Sequence, residues 1–103
     1  MASTLDKRLE LQSILEEYCQ NVYFQPPTNK QLKYPCIIYK RVNNSTLYGD
    51  NKPYIMSTRY QVTVVDDDPD SEIVPEIEKL ELCTFDRHYD SDGLSHDVFT
   101  IYH

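Results

Sequence analysis

The stretch from Arg59 to Glu72, with the sequence RYQVTVVDDDPDSE, constrains the fold more than any other part of the chain. Tyr60, Val62 and Val64 alternate with polar residues, and this period of two predicts a half-buried β-strand. The strand has to stop in the acidic run that follows, because Pro69 cannot donate a ladder hydrogen bond. Small polar and acidic residues at that point are typical of the start of a helix. The stretch therefore predicts a central strand that leads into a capped helix.

The length and composition of the chain indicate one globular domain spanning residues 1–103. Its 10 basic and 17 acidic side chains give a formal net charge of −7. This charge argues against a protein that grips nucleic acid, because phosphate binding needs clustered Lys and Arg. Cys19, Cys36 and Cys83 have no paired spacing, so we expect free thiols and a reduced intracellular setting. No segment has the length of a membrane span, and no membrane partner is expected.

The other elements follow from periodicity and turn residues. Leu11, Ile14, Leu15 and Tyr18 lie at the spacing of one helix face and predict an amphipathic helix that packs on a sheet. The order of elements is predicted to be α-β-β-β-α-β-β. We therefore expect an α+β fold, with a mostly antiparallel sheet and both helices on one side. The other predicted elements are strands at Val22–Phe24 and Cys36–Val42, a helix from Ile73 to Leu80 capped by Asp70 or Ser71, and strands Cys83–Tyr89 and Ser95–Tyr102 around an Asp92-Gly93 turn.

A long connection, NNSTLYGDNKPY, separates the second strand from the central one, which is expected to begin near Ile55. Hairpin loops usually span about 2–5 residues, so a stretch of about a dozen residues predicts a loop with a role of its own. The alternative is an extended hairpin with no such role. Because the connection combines apolar side chains with turn residues, we predict a contact surface for a protein partner. The predicted interface residues are Leu47, Tyr48, Gly49, Asp50, Asn51 and Tyr54.

In the acidic run of Asp66, Asp67, Asp68 and Asp70, every second position from Asp66 to Glu72 is acidic, and this spacing of Asp66, Asp68, Asp70 and Glu72 opens a calcium-binding loop. However, Ser71 stands where that loop requires glycine, and Ile77 stands where it requires a bidentate glutamate. A turn shaped and capped by its own carboxylates is the favoured interpretation. A weak divalent-ion site, or a surface that faces a lumen, is the alternative for these residues.

The sequence contains no motif that indicates a catalytic site. His88, His96 and His103 lie on or after the terminal hairpin, and His88 and His96 are expected to be near cross-strand neighbours. Nothing fixes a third convergent ligand, so exposed hairpin residues are the favoured interpretation. With Gly49 and Gly93 as its two glycines, the chain cannot build a phosphate-binding loop. We therefore expect no enzyme activity, no cofactor and no metal site.

Several motifs together resemble the small tail-terminator proteins of long-tailed bacteriophages, which complete the tail and join it to the head. The resemblance runs from about Asn21 to the C-terminus, after an N-terminal helix in the expected place. It is carried by Tyr34 to Tyr39 (YPCIIY), by Tyr60 to Val64 (YQVTV), and by the flanking segments VYFQPP and CTFDRHYDSDGLSHDVFTIYH. These motifs concern architecture and not catalysis.

The resemblance implies an α+β subunit that assembles with itself into a ring, typically a hexamer. Such a ring caps the tail tube, stops its polymerisation and meets the head-side connector, or head-completion protein. It would lie at the neck of the virion after assembly in the host cytoplasm. DNA would pass through the lumen without specific binding, which suits an acidic subunit. The alternatives are another neck protein of the same virion, or a small cytoplasmic regulatory domain that binds a ligand or ion at Asp66–Glu72.

Overall fold

The sheet is built around the strand that the alternation of Tyr60, Val62 and Val64 predicts. The computed structural model describes residues 4–25, 32–49 and 52–103 of the chain. The predicted fold class is confirmed: one five-stranded, mostly antiparallel sheet carries an N-terminal helix and a second short helix. In chain order the elements are α1 (Thr4–Glu16), β1 (Val22–Phe24), β2 (Cys36–Gly49), β3 (Lys52–Asp66), α2 (Ile73–Glu78), β4 (Cys83–Ser91) and β5 (Leu94–Tyr102).

The strand order across the sheet is β1-β2-β3-β5-β4, so β3 lies at the centre and β1 and β4 form the edges. The β1–β2 pair is parallel, with Val22 opposite Ile37, whereas the other three pairs are antiparallel. The α1 helix lies in the chain before β1, and α2 connects β3 to the edge strand β4. The prediction of a central strand that leads into a short helix is confirmed.

The core lies between the helices and one face of the sheet. Leu11 and Leu15 of α1 and Ile77 of α2 are buried against this face, where Val62 and Val64 are fully buried. The predicted contact of the α1 stripe with the central strand is confirmed, although Ile14 and Tyr18 are only part-buried. The remaining buried members of this cluster are Cys19, Ile37, Tyr39, Tyr60, Phe99 and Ile101.

The predicted loop between the second strand and the central strand is wrong, because the backbone there forms a continuous hairpin. The ladder between β2 and β3 runs from Cys36 opposite Val65 to Gly49 opposite Lys52, with register shifts between Arg41 and Asn43 and between Leu47 and Tyr48. β1 pairs only with residues 37–39 of β2, and β5 pairs only with residues 59–66 of β3. Within the described residues, 43–49 and 52–58 therefore pair only with each other. We call this two-stranded projection the distal ribbon.

The terminal hairpin has the predicted two-residue turn. Asp92 and Gly93 both have positive φ, at 54° and 77°, which is the backbone required by the tight turn that joins right-handed twisted strands. The strands on either side run from Ser91 opposite Leu94 to Cys83 opposite Ile101. One bulge, at Asp86, interrupts this ladder. The register of β4 and β5 is therefore set by the turn.

Candidate functional site

The predicted interface residues lie on the distal ribbon and not in a loop. Leu47, Tyr48 and Gly49 belong to β2 and Tyr54 belongs to β3, while Asp50 and Asn51 lie outside the described residues. The register change between Leu47, opposite Ile55, and Tyr48, opposite Pro53, makes Tyr54 the extra residue of a bulge. The ribbon makes the molecule long: its principal extents are 45 × 24 × 23 Å. Its radius of gyration of 14.3 Å exceeds the roughly 13 Å of a compact domain of this length.

The acidic turn, Asp66 to Glu72, is held in shape by its own side chains. A carboxylate oxygen of Asp66 accepts the Asp68 amide at 2.9 Å, and one of Asp68 accepts the Asp70 amide at 2.9 Å. The Ser71 hydroxyl accepts the amide of Ile73, at the start of α2, at 3.3 Å. Carboxylates of this kind take the place of backbone acceptors in a turn. This geometry agrees with the favoured interpretation of the acidic run, that its carboxylates shape a turn.

The outer face of the acidic turn is anionic. Asp66 is 7% exposed, whereas Asp67, Asp68, Asp70 and Glu72 are all exposed. The prediction that Asp70 or Ser71 is the N-cap is wrong, because Glu72 occupies that position and makes no side-chain capping bond. The Ser71 hydroxyl accepts from the first helical amide, that of Ile73, from one position earlier in the chain. The turn therefore presents four exposed carboxylates at the C-terminal end of the central strand.

The face of the sheet opposite the helices, which we call the open face, contains a concave recess of about 270 Å³. Val65 is 3% exposed and Val98 fully buried, although alternation places both opposite the helix-covered core. One wall is the ring of Tyr89 stacked on His96, with centroids 4.6 Å apart and planes 11° apart. The recess is lined by Ile38 and Lys40 of β2, Gln61, Thr63 and Val65 of β3, Tyr89 of β4 and His96 of β5.

Lys40, Arg59 and Arg87 lie on the open face, whereas Arg41 of β2 lies opposite Tyr60, near the ring of Phe24. Lys40 lines the recess, and Arg59 lies two residues before Gln61 on the same side of β3. Arg87 lies opposite Val98, which in turn lies opposite Thr63. Among the described residues these three side chains form no ion pair, and the Nε atom of Arg59 is buried without a hydrogen-bond partner. The open face is thus basic, in a chain whose net charge is −7.

The structure does not bring the three histidines together. His88 lies opposite Asp97 and His96 opposite Tyr89, so the two histidines lie on opposite faces of the terminal hairpin. His103 lines a separate recess of about 270 Å³ near Leu11 and Leu80. As expected, His88 and His96 lie in adjacent residue pairs of the ladder between β4 and β5. Their side chains point to opposite faces, so they do not form a shared site.

His88 instead bridges two carboxylates. Its Nδ1 is 2.8 Å from Asp97 Oδ1, and its Nε2 is 3.3 Å from Asp90 Oδ1. The hydrogen bond to Asp97 is the main reason that the pKa of His88 is raised above its ordinary value. Asp90 also accepts a hydrogen bond from the Ser95 hydroxyl at 3.3 Å. The cluster ties β4 to β5 through a protonatable group.

The three cysteines are free thiols, as the sequence predicts. Burial raises the pKa of Cys36 to about 12 and that of Cys83 to about 11. Burial also raises the pKa of Cys19, whose thiol donates to the Pro35 carbonyl at 3.5 Å. A thiol held protonated at neutral pH is a poor nucleophile and a poor metal ligand. Cys19 and Cys36 are buried in the fold, and Cys83 is part-buried.

In the described part of the chain, no three His, Cys, Asp or Glu residues are placed to hold a metal ion together. No described helix has the length and apolarity needed to cross a membrane. Comparison of the chain with protein-family models, with curated proteins and with solved structures gave no match.

Two features of the surface were not anticipated from the sequence: the stack of Tyr89 on His96 and the bridge from His88 to Asp97. A signal for both was present. Counting outward from the Asp92-Gly93 turn pairs residues whose numbers sum to the same value, which places Tyr89 opposite His96 and His88 opposite Asp97. The recess of the open face had no such signal, because its lining residues come from four strands and are spread along the sequence from Ile38 to His96.

Proposed function

We propose that the chain is a structural subunit that assembles with itself into a ring, and that this ring terminates a phage tail tube and joins it to the head-side connector. The resemblance carried by Tyr34–Tyr39 and Tyr60–Val64 supports this assignment. The observation that carries the proposal of self-assembly is the distal ribbon. In this function the subunit is not an enzyme and needs no cofactor.

Among the described residues, the distal ribbon pairs with no other strand of its own subunit. A two-stranded hairpin is marginally stable in water, because it lacks a third strand or a helix to cover its faces. Ordering each residue of it costs about 1–2 kcal/mol of backbone entropy. The five-stranded sheet and the two helices offer it no further strand within the described residues. A neighbouring subunit, or the last ring of the tail tube, would supply the missing contacts.

Exposed apolar side chains also lie at the base of the ribbon and at the β4 edge of the sheet. Val42 is 45% exposed where the ribbon leaves the sheet. On the edge strand β4, Phe85 is 45% and Tyr89 43% exposed, and Leu82 just before it is 45% exposed. An edge strand also has free backbone groups on its outer side. These surfaces suit contacts between protein subunits better than exposure to water.

The charge of the molecule fits a ring that surrounds DNA. With a net charge of −7, the subunit repels the phosphate backbone more than it attracts it. A lumen lined by such subunits would let DNA pass without holding it.

The proposal is tested by sedimentation velocity and negative-stain imaging of the purified protein, with and without magnesium. We expect closed rings for the natural sequence. The double substitution Leu47→Ser, Tyr48→Ser on the distal ribbon should weaken ring formation. The free energy of unfolding of the subunit should stay within about 1 kcal/mol, as for most surface changes. Leu9→Ser is the control, because Leu9 is 48% exposed on α1 and far in sequence from the ribbon.

Two results would contradict the proposal. A monomer at every concentration and in both buffers would exclude self-assembly. A monomer with a micromolar calcium site, lost in Asp68→Ala, would instead favour the regulatory ion-binding domain. Rings formed equally well by the Leu47→Ser, Tyr48→Ser protein would keep the assembly and remove the ribbon from its interface.

A further inference from the structure

We propose that the open face is the docking surface for the acidic turn of a second copy of this chain, and that this contact joins neighbouring subunits. The inference rests on the proposed self-assembly and adds to it the two surfaces that meet. The docking surface is the recess with Lys40, Arg59 and Arg87 around it. The occupant is the turn Asp66–Glu72 of the adjacent subunit.

Basic and acidic side chains are separated within the subunit, on the open face and in the acidic turn. The open face carries three cations that have no ion-pair partner among the described residues. The exposed carboxylates of the acidic turn likewise take part in no ion pair in the described part of the chain. One acidic group that does lie on the open face, Asp86, is already engaged, since it accepts a hydrogen bond from Thr100 at 2.8 Å. An unpaired basic surface on an acidic protein is complementary to the acidic surface of its own copies.

Two cations of the open face, Lys40 and Arg59, lie far from the acidic turn of their own subunit. Lys40 lies opposite Gln61, and β3 continues past Gln61 to its end at Asp66, one residue before Asp67. At about 3.3 Å per residue, Gln61 and Asp67 are roughly 20 Å apart along the strand direction, and Arg59 lies further still. Arg87 is nearer to the turn, because it lies opposite Val98 and so level with Thr63. Lys40 and Arg59 are therefore too far from the turn to pair with it within one molecule, whereas a second copy can bring its turn to them.

The symmetry of a ring requires a contact between two different surfaces of the subunit. A closed ring of identical subunits needs a head-to-tail contact, in which one surface of each subunit meets a different surface of the next. A concave recess of about 270 Å³ and a protruding turn are two such surfaces. The stacked rings of Tyr89 and His96 give the recess a rigid aromatic wall, the type of side chain enriched at interface centres. Gln61 and Thr63 supply hydrogen-bond donors on its floor.

A nucleic acid is the competing occupant of a basic sheet face with aromatic side chains. The open face offers three cations and one histidine, whereas phosphate binding gains affinity with each neutralised phosphate. A long polyanion would also extend past the face and meet the acidic turn. The short acidic segment of a second copy fits the charge and the size of the face better.

The experiment uses two charge-reversal proteins and their combination. The face variant is Lys40→Glu, Arg87→Glu, and both of these side chains are exposed. The turn variant is Asp67→Lys, Asp70→Lys, which leaves the shaping carboxylates of Asp66 and Asp68 in place. Matched controls carry the same charge change elsewhere: Lys33→Glu, Lys79→Glu for the first and Glu10→Lys, Glu17→Lys for the second. Far-ultraviolet circular dichroism checks that each protein is folded.

We expect each variant by itself to need at least about tenfold more protein than the natural sequence to reach half-assembly, because like charges then face each other at the contact. Equimolar mixing of the two variants should restore assembly, since the lysines of one turn meet the glutamates of the other face. The four substitutions combined in one chain should restore it as well. The two control proteins should assemble like the natural sequence.

The outcomes separate this inference from the proposed function. Rings formed by both variants at the natural concentration would overturn the inference and leave self-assembly standing. Loss of assembly without rescue on mixing would also overturn it. Monomers of the natural sequence under every condition would contradict self-assembly and this contact together. If a fluorescent single-stranded oligonucleotide bound the natural protein and not the face variant, while rings formed unchanged, the open face would be a nucleic-acid surface instead.

Discussion

Two tyrosines that lie side by side in the core differ in how their hydroxyl groups are satisfied. The ring centroids of Tyr39 and Tyr60 are 6.0 Å apart, and both residues are fully buried. The Tyr39 hydroxyl donates to the side-chain oxygen of Gln12 and accepts from Arg8 at 3.4 Å. The Tyr60 hydroxyl is buried and has no hydrogen-bond partner among the described residues. A buried hydroxyl without a partner destabilises the folded state.

The tyrosine pair therefore allows a matched prediction. Tyr60→Phe should increase the free energy of unfolding by about 1 kcal/mol, because it removes an unpaired polar group and keeps the ring. Tyr39→Phe should decrease it by about 1 kcal/mol, because it breaks the bonds to Gln12 and Arg8. Urea unfolding of the two proteins measures both effects. A loss of stability in Tyr60→Phe as large as in Tyr39→Phe would show that the Tyr60 hydroxyl is paired.

The bridge from His88 to Asp97 predicts how stability depends on pH. The raised pKa means that the folded state binds the proton more tightly than the unfolded state does. The stabilisation is therefore complete below pH 6.5, the ordinary pKa of histidine, and is lost as the pH rises through the raised value. Asp97→Asn should lower the pKa of His88 and flatten this part of the stability profile. NMR titration of the His88 ring measures the shift.

The control for His88 is Asp90→Asn. Asp90 lies 3.3 Å from the other ring nitrogen and contributes less to the raised pKa than Asp97 does. Its removal should lower the pKa of His88 by a smaller amount. A pKa for His88 that is equal in the natural protein and in Asp97→Asn would mean that the bridge does not persist in solution.

At the scale of elements, α1 is held in place by a narrow stripe of side chains. Leu15 is fully buried and Leu11 1% exposed, whereas Leu9 on the same helix is 48% exposed. Leu15→Ala should lower the free energy of unfolding by about 2–5 kcal/mol, since it removes buried methyl groups and leaves a cavity. Leu9→Ala should change it by less than about 0.5 kcal/mol. Equal melting temperatures of these two proteins in calorimetry would exclude the packing of α1 on β3.

The strands show where periodicity is sufficient and where it is not. Alternation predicted the part of β3 that is flanked by β2 and β5, because burial on one face selects apolar residues at every second position. In the distal ribbon, Asn43, Asn44 and Gly49 have the composition of a loop. The ribbon is nevertheless a strand pair, because backbone pairing needs no particular side chain. The loop prediction was wrong because it relied on turn-forming residue types, which do not prevent an antiparallel ladder.

At the scale of the whole molecule, the distal ribbon is defined by its strand pairing. Among the described residues, 43–49 and 52–58 pair only with each other, whereas β1 pairs with residues 37–39 and β5 with residues 59–66. Replacing Asn43–Thr58 with Asn-Gly should therefore leave a cooperatively folded monomer, because it joins Val42 to Arg59 through a favoured two-residue turn. Its radius of gyration should fall from the present 14.3 Å to about 12 Å, as measured by small-angle X-ray scattering. An unfolded product would show that the ribbon belongs to the core, and rings formed by it would exclude the ribbon from assembly.

Sequence patterns by themselves determined the identity and order of the elements, the central position of β3, the free thiols and the tight turn at Asp92-Gly93. Each of these depends on interactions between residues close in sequence, or on a periodicity that one buried face imposes. The tertiary structure decided the rest: the parallel pairing of β1, the ribbon, the Tyr60 hydroxyl that has no partner among the described residues, and the recess beside Lys40. These features depend on which distant strands lie side by side. Strand pairing arises from the sum of many weak contacts between distant residues, and no local pattern in the sequence records that sum.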